Sequence, residues 1–206
     1  MKLDDFDAWV RQELAAVETA LEALVPEDTP AGLGDAMRYA VLDGGKRLRP
    51  LLVLAACEAV DGDRAAAMRA AVAVELIHAY SLVHDDTPCM DDDALRRGKP
   101  TVHVKYGEAQ AMLAGDAMQA LAFEILTPEE GLEPVLQARL VGLLARAAGH
   151  EGMAGGQAID LASVGRKLDE TSLRLEYRNF GWLFLLAVLG LLALHGFLVA
   201  RGGGRQ

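Results

Sequence analysis

Residues 77–101 read IHAYSLVHDDTPCMDDDALRRGKPT, and no other stretch of the chain says as much about its fold and chemistry. Its polar half holds five aspartates followed by two arginines: Asp85, Asp86, Asp91, Asp92 and Asp93, then Arg96 and Arg97. Carboxylates packed this densely repel one another, so they usually sit in water or around a divalent cation. Oxygen ligands beside guanidinium groups suit a magnesium diphosphate, because the metal bridges carboxylate to phosphate and arginine binds the remaining oxygens. The local pattern therefore predicts a Mg²⁺–diphosphate site.

The spacing of the aspartates requires a break in the helix that leads into them. In an unbroken helix, Asp85 and Asp91 would be about 600° apart around the axis and would point to different sides. Pro88 clashes with the carbonyl group four residues earlier, so the helix should distort or end near Thr87 and Pro88. Such a bend would bring Asp91 back towards Asp85 and form a cradle for a metal. For the acidic cluster taken alone, a solvated loop after a helix is the alternative.

The composition indicates a helical protein of one domain. The 206 residues are 52% hydrophobic but only 5% aromatic, and few runs alternate apolar and β-branched residues, which favours helices over a sheet. A net charge of −10 argues against a nucleic-acid partner, since such a partner needs a basic surface. The two cysteines, Cys57 and Cys89, are too few for a disulfide framework and fit a reducing cytoplasm.

Apolar residues at helical intervals, punctuated by proline and glycine, predict a series of helices before residue 165. We expect these helices over residues 3–24, 33–42, 50–60, 64–84, 108–126 and 133–149. The domain organisation that we predict is a helical domain at 1–164, a linker at 165–179 and a candidate transmembrane helix at 180–200.

Residues 180–200, FGWLFLLAVLGLLALHGFLVA, contain no titratable side chain other than His195. A helix of this length spans about 31 Å, close to the hydrocarbon core of a membrane at about 30 Å. More basic residues precede the segment than follow it, so the positive-inside rule weakly favours a cytoplasmic body anchored by this tail. A fully buried central helix of a soluble bundle is the alternative.

Three further segments hold residues suited to a diphosphate site, although each is a weak signal alone. GGKRLRP, residues 44–50, places Lys46, Arg47 and Arg49 beside glycines that let the backbone approach a ligand. His78 precedes Asp85 by two helical turns and shares its face. The glycines of GMAGGQ, residues 152–157, fit helix packing better than ligand binding.

Together these segments resemble the trans-isoprenyl diphosphate synthase family, in particular its bacterial farnesyl and geranyl diphosphate synthases. The resemblance runs from about residue 35 to residue 161 and rests on GGKRLRP, on AVELIHAYSLVHDDTPCMDDDALRRGKPTVHVKYGEAQAMLAGDAM, and on GMAGGQAIDL. It implies an all-α bundle of the isoprenoid-synthase type around a central cavity, here incomplete and followed by a C-terminal hydrophobic helix. In that family, Mg²⁺ bound by the aspartates helps to ionise an allylic diphosphate, and isopentenyl diphosphate attacks the resulting cation.

The resemblance also implies a role for each matched residue. Asp85 and Asp91 would bind Mg²⁺, with Asp86 supporting them in catalysis. The expected ligands of isopentenyl diphosphate are Lys46, Arg49, His78 and Arg97. Arg96 would hold the allylic diphosphate, either dimethylallyl or geranyl. Tyr80, five residues before the motif, resembles the cavity floor that limits product length in short-chain members, so a farnesyl-sized product is favoured.

One departure from the family pattern bears on activity. The Lys-Thr-Gly box and the second aspartate-rich motif are expected after Leu161, and neither occurs in residues 162–206. The opposing half of the metal site then has no source in this chain, so we expect little or no prenyl transfer by the isolated polypeptide. The tail would in that case stem from a frameshift or a gene fusion.

Other functions fit parts of the pattern. The chain could be a non-catalytic, membrane-anchored relic or a partner subunit of a complete synthase, because family members commonly dimerise through their bundles; a homodimer is the related possibility. A metal phosphohydrolase, suggested by the pair His84 and Asp85, leaves GGKRLRP and RRGKPT unexplained. A class I terpene cyclase uses a similar acidic motif, but the basic box indicates a second diphosphate substrate.

Overall fold

The computed structural model describes residues 3–42 and 44–164, and over these residues the predicted all-α fold is confirmed. The helices are α1 (Leu3–Leu24), α2 (Leu33–Val41), α3 (Leu48–Ala59), α4 (Arg64–Asp85), α5 (Val102–Tyr106), α6 (Glu108–Ile125), α7 (Pro134–Ala148) and α8 (Met153–Val164). A single 3₁₀ turn, Pro30–Gly32, leads into α2. The predicted linker at 165–179 and the predicted hydrophobic helix at 180–200 lie outside the described residues.

Helix α4 is the centre of the bundle. It packs most extensively against α6, next against α3, and also against α1 and α2. Asp63 caps its first turn, because one carboxylate oxygen accepts hydrogen bonds from the N–H groups of Ala65 and Ala66 at 2.8 and 3.1 Å. Its apolar side chains, Leu76 and Ile77 among them, are buried on several sides, as expected of a helix surrounded by others.

The apolar character of α4 also meets the length and composition of a membrane-spanning helix, alone among the helices described. Of its apolar window, 72% is buried inside the bundle. Burial among other helices explains this composition, because the core helix of a globular bundle must be apolar nearly all round.

A short antiparallel hairpin interrupts the helical pattern after the aspartates. Its strands are β1 (Leu95–Arg96) and β2 (Lys99–Pro100), with Arg96 opposite Lys99. The turn residues Arg97 and Gly98 both have left-handed φ angles, 53° and 82°, a combination typical of a type I′ hairpin turn. We did not predict this hairpin, because strands of two residues are too short to show an alternating pattern. It places the basic side chains of Arg96, Arg97 and Lys99 around a cavity that the C-terminal part of α4 also lines.

Candidate active site

The aspartate-rich turn begins where α4 ends. Asp85 is the last residue of the helix, and the chain then folds back on itself. The N–H of Asp91 donates to the carbonyl oxygen of Asp85 at 2.9 Å, and the N–H of Asp93 donates to that of Asp86 at 3.1 Å. The helix therefore ends before Pro88, and the turn returns Asp91 to Asp85 as the spacing predicted.

The carboxylates of Asp85 and Asp91 interact unfavourably. Burial raises the pKa of Asp85, and the charge of Asp91 raises it further. Gln157, on α8, donates from Nε2 to Oδ1 of Asp85 at 2.6 Å and stabilises the charged form. Two mutually repelling carboxylates fit a divalent cation that neutralises both.

The number of protein ligands near this pair is small. Within residues 3–42 and 44–164, no three His, Cys, Asp or Glu side chains are placed so that they could hold a metal ion. Mg²⁺ is commonly bound by one or two carboxylates together with water and the phosphates of a substrate. Asp85 and Asp91 therefore fit Mg²⁺ that arrives with a diphosphate better than a metal bound permanently by the protein.

Asp86 forms an ion pair inside the protein, unlike Asp85. It is 3% exposed, and Nε of Arg96 lies 2.9 Å from each of its oxygens, while Nη2 of Arg96 also donates to Oδ1. This hydrogen bonding raises the pKa of Arg96. Asp86 thus holds the hairpin against the end of α4, and it offers no free carboxylate to a metal in this arrangement. The charge of Arg96 is balanced by the same contact.

Arginines surround His78 on α4. Burial and the charges of Arg49, Arg97, Arg96 and Arg47 together lower the pKa of His78 to about 4. His78 is therefore neutral near pH 7, and its ring can donate one hydrogen bond and accept another. It lines a cavity of about 50 Å³, as do Arg96 and Arg97. Clustered guanidinium groups around a neutral donor are suited to a diphosphate.

The GGKRLRP segment meets the hairpin at this cavity. Nη1 of Arg97 donates to the carbonyl oxygen of Gly44 at 2.6 Å. Gly45 has a φ of 144°, and a Cβ there would lie 3.0 Å from Nη1 of Arg97. Glycine at this position therefore avoids a steric conflict with the guanidinium group of Arg97. Lys46 is exposed on the same loop and is separate from the side chains that line the cavity. Of the predicted isopentenyl diphosphate ligands, His78 and Arg97 line the cavity. Arg49 lies outside this lining but close enough for its charge to lower the pKa of His78, and Lys46 also lies outside it.

Arg47 has an internal role that the charge pattern of this segment did not indicate. It is 5% exposed. Its Nε donates to Glu18 on α1 at 2.7 Å, its Nη1 to Glu75 on α4 at 2.8 Å, and its Nη2 to the carbonyl oxygen of Val41 at 2.6 Å. Arg47 therefore ties the loop to two helices, and its positive charge is balanced by carboxylates inside the protein.

Tyr80 lies in the core rather than in the arginine-lined cavity. It is 7% exposed, and its ring meets that of His84 edge to face with centroids 5.7 Å apart. Burial raises the pKa of its hydroxyl, and a hydrogen bond with Gln119 on α6 opposes that shift. The tyrosine thus stands between α4 and α6, one helical turn before the aspartates.

Two side chains of the site, Glu75 and Gln157, were not predicted as site residues. Glu75 lines the same cavity as His78, and its position three residues earlier on α4 was the available signal, because this spacing places both on one helix face. Gln157 was visible only as the end of a glycine-rich segment, which indicated packing rather than a hydrogen bond to Asp85.

The sequence profile of the family described as polyprenyl synthetase matches residues 30–194. The chain belongs to the polyprenyl synthetase family. The matched range contains the aspartate-rich turn, the arginine cluster and most of the apolar stretch at 180–200.

Relatives in this family are identical to this chain at close to half of the aligned positions. The chain is 48% identical over 188 residues to the heterodimeric geranylgeranyl pyrophosphate synthase large subunit 1 of Arabidopsis thaliana, an alignment that covers 90% of this chain and 50% of that protein. It is 49% identical over 162 residues to a geranylfarnesyl diphosphate synthase of Leucosceptrum canum, covering 78% of this chain and 44% of the other. The chain spans about half the length of the curated relatives it matches.

Two solved structures share the described fold. An apo FPP/GFPP synthase from Zymomonas mobilis has a TM-score of 0.82 and 43% sequence identity, covering 96% of this chain and 71% of that one. A geranyltransferase from Legionella pneumophila has a TM-score of 0.79 and 35% identity, covering 92% and 74% of the respective chains. The predicted isoprenoid-synthase fold is thereby confirmed.

Proposed function

We propose that this chain belongs to a short-chain prenyl diphosphate synthase and binds the two diphosphate substrates of that reaction at the C-terminal end of α4. The proposal depends mainly on one observation, the placement of a repelling carboxylate pair, Asp85 and Asp91, close to the arginines around His78. Family membership supports the reaction class. Isopentenyl diphosphate would occupy the arginine cluster, and an allylic diphosphate would bind at the aspartates.

Asp85 and Asp91 would hold Mg²⁺ together with the allylic diphosphate. The bound metal would neutralise charge on the departing diphosphate. Gln157 would keep one oxygen of Asp85 in place, so that the other faces the metal. A cation bound between the two carboxylates would remove their mutual repulsion. This gain exists only when both carboxylates are ionised, so metal binding should require both charges.

The arginine cluster would bind isopentenyl diphosphate without a metal. Arg49 and Arg97 would supply the positive charge, and neutral His78 would add a hydrogen bond. Lys46 would reach the same diphosphate from the exposed loop. The carboxylate of Asp86 offsets the positive charge of Arg96, so the contribution of Arg96 to binding the allylic diphosphate should be smaller than that of an unpaired arginine.

Calorimetric titration of the purified chain with geranyl diphosphate tests the proposal. Binding should require Mg²⁺ and should weaken at least tenfold in Asp85→Asn and Asp91→Asn, because each change removes a metal ligand and a charge. Asp92→Asn is the matched control, since it removes one charge from the same turn without touching the predicted ligands. Metal-independent binding, or equal loss in the control, would contradict the assignment.

The product length is a finer part of the proposal. A buried tyrosine at position 80 would block a growing chain early and favour a farnesyl-sized product, whereas the Arabidopsis relatives are named for geranylgeranyl products. Tyr80→Ala should raise the affinity for geranylgeranyl diphosphate relative to geranyl diphosphate. An unchanged ratio would exclude Tyr80 as the residue that limits length.

A second candidate is a partner subunit that pairs with a complete synthase. Two relatives are named as large subunits of heterodimeric synthases, and the exposed apolar side chains of Met112 and Leu113 on α6 offer a surface for pairing. Co-expression with a full-length synthase should then yield a stable complex that Leu113→Lys weakens. Separate elution of the two proteins would exclude this candidate.

We also propose that the body of the chain is cytoplasmic and anchored through residues 180–200. Intact protein should float with lipid vesicles and resist a high-salt wash. Recovery of folded protein in the soluble fraction would instead favour a buried bundle helix.

A further inference from the structure

Glu75 carries an unsatisfied buried oxygen, the only one among the side chains that the structure describes. The residue is 5% exposed on α4 and lines the arginine-lined cavity. Its Oε1 accepts a hydrogen bond from Arg47 at 2.8 Å, whereas Oε2 has no hydrogen-bond partner. Leaving a buried acceptor unpaired is unfavourable, so a charged residue at this position needs a reason.

Anchoring Arg47 does not require the charge of Glu75. Glu18 already receives two hydrogen bonds from this guanidinium, Nε to Oε1 at 2.7 Å and Nη2 to Oε2 at 3.2 Å. One carboxylate balances one guanidinium, and a neutral amide oxygen at position 75 could accept the remaining bond from Nη1. The negative charge of Glu75 is therefore free to act on other groups around the cavity.

Glu75 shares the lining of this cavity with His78, Arg96 and Arg97, so its charge acts on any anion that binds there. Burial lowers the pKa of Arg49, and the carboxylate of Glu75 opposes that shift. The charge of Arg49 in turn reaches His78, three residues after Glu75 on the same face of α4. The arginines that line the cavity have partners of their own, since Arg47 is paired with Glu18, Arg96 is paired with Asp86 and Arg97 donates to a backbone carbonyl.

We propose that Glu75 weakens ligand binding at the diphosphate site: its buried carboxylate lines the cavity beside Arg96 and Arg97 and competes there with an incoming diphosphate. This role presupposes the diphosphate site proposed above. Removing the charge while keeping the shape should therefore make diphosphate binding tighter rather than weaker, because the ligand no longer competes with a carboxylate. A residue with a purely structural role would show the opposite trend or none.

The test is calorimetric titration with inorganic pyrophosphate in EDTA, which removes the contribution of metal at the aspartates. Glu75→Gln keeps an acceptor for Arg47 and should bind pyrophosphate about threefold to tenfold tighter than the wild type, with a lower melting temperature. Glu18→Gln is the matched control, because it neutralises the other partner of Arg47 away from the cavity. Its affinity should stay within about twofold of the wild type.

Several outcomes would overturn the inference. Unchanged or weaker pyrophosphate binding by folded Glu75→Gln would show that its charge does not oppose the ligand. If circular dichroism shows that this variant is unfolded, the titration is repeated in trimethylamine N-oxide, which favours the folded state. Arg97→Gln gives an independent check, since pyrophosphate binding at wild-type strength would mean that the ligand does not bind in the cavity that Glu75 lines. Failure of the wild type itself to bind would overturn the proposed site as well.

Discussion

Substitution of Gly115 by alanine should disturb the contact that fixes the end of α4 to α6. His84 directly precedes the aspartates, and its Nε2 lies 3.1 Å from the carbonyl oxygen of Met112 on α6. The imidazole ring reaches this carbonyl through the space that Gly115 leaves open. A Cβ at position 115 would lie 2.1 Å from Nε2 and 2.5 Å from Cδ2 of His84.

The magnitude follows from three contributions to the free energy of unfolding. Overpacking of a buried contact costs about 1–3 kcal/mol. Loss of the hydrogen bond between His84 and Met112 costs about 1 kcal/mol, and the higher helix propensity of alanine returns about 1 kcal/mol. The net destabilisation should be about 2 kcal/mol, which lowers the melting temperature of a chain of this size by about 4–8 °C.

Thermal and urea denaturation followed by circular dichroism measure this change. Gly142→Ala is the matched control, because Gly142 is also inside a helix, and a Cβ there would meet only the side chain of Arg146 at an ordinary 3.5 Å. That control should be as stable as the wild type, or slightly more stable. A Gly115→Ala protein that melts at or above the wild-type temperature would refute the packing explanation. The same variant should also bind Mg²⁺ and geranyl diphosphate more weakly, because His84 sets the position of Asp85.

Three further changes test the electrostatics of the site. The pKa of His78 falls from 6.5 to about 4 on folding. As the pH falls, the unfolded chain therefore takes up a proton before the folded chain does, and the free energy of unfolding should decline from pH 6.5 towards pH 4. An NMR titration should show an uncharged His78 ring at about pH 6, and a charged ring would contradict this. Gln157→Ala removes a hydrogen bond that favours ionised Asp85, so the pKa of Asp85 should rise further in a ¹³C NMR titration; an unchanged value would mean that the contact is not made in solution. Arg96→Met leaves buried Asp86 without its partner and should lower the free energy of unfolding by about 2 kcal/mol in urea denaturation, whereas equal stability would show that the pair is not structural.

The helices and the aspartate turn could be predicted because their signals are local. Asp63 caps α4, and proline at position 88 requires the helix to end before it, so both ends of this helix follow from neighbouring residues. The return of Asp91 to Asp85 also follows from that local break. Local rules were insufficient for the hairpin, whose register depends on the unusual φ angles of Arg97 and Gly98.

The partners of charged side chains could not be read from the sequence. Arg47 is joined to Glu18 and Glu75, which lie 29 and 28 residues away along the chain, and nothing in the GGKRLRP segment distinguishes this buried arginine from its neighbours. The same holds for Gln157, which reaches Asp85 across 72 residues. Packing of α1, α4 and α8 brings these groups together, so their roles become visible only in the fold.

Manganese uptake in the presence of pyrophosphate, followed by electron paramagnetic resonance with Mn²⁺ in place of Mg²⁺, tests the central claim most directly. Pyrophosphate should increase Mn²⁺ binding by the wild-type chain several-fold, because Asp85 and Asp91 supply too few ligands without it. The double variant Asp85→Asn/Asp91→Asn should lose this pyrophosphate-dependent uptake. Equal uptake by the two proteins, both folded, would contradict a metal–diphosphate site at the end of α4.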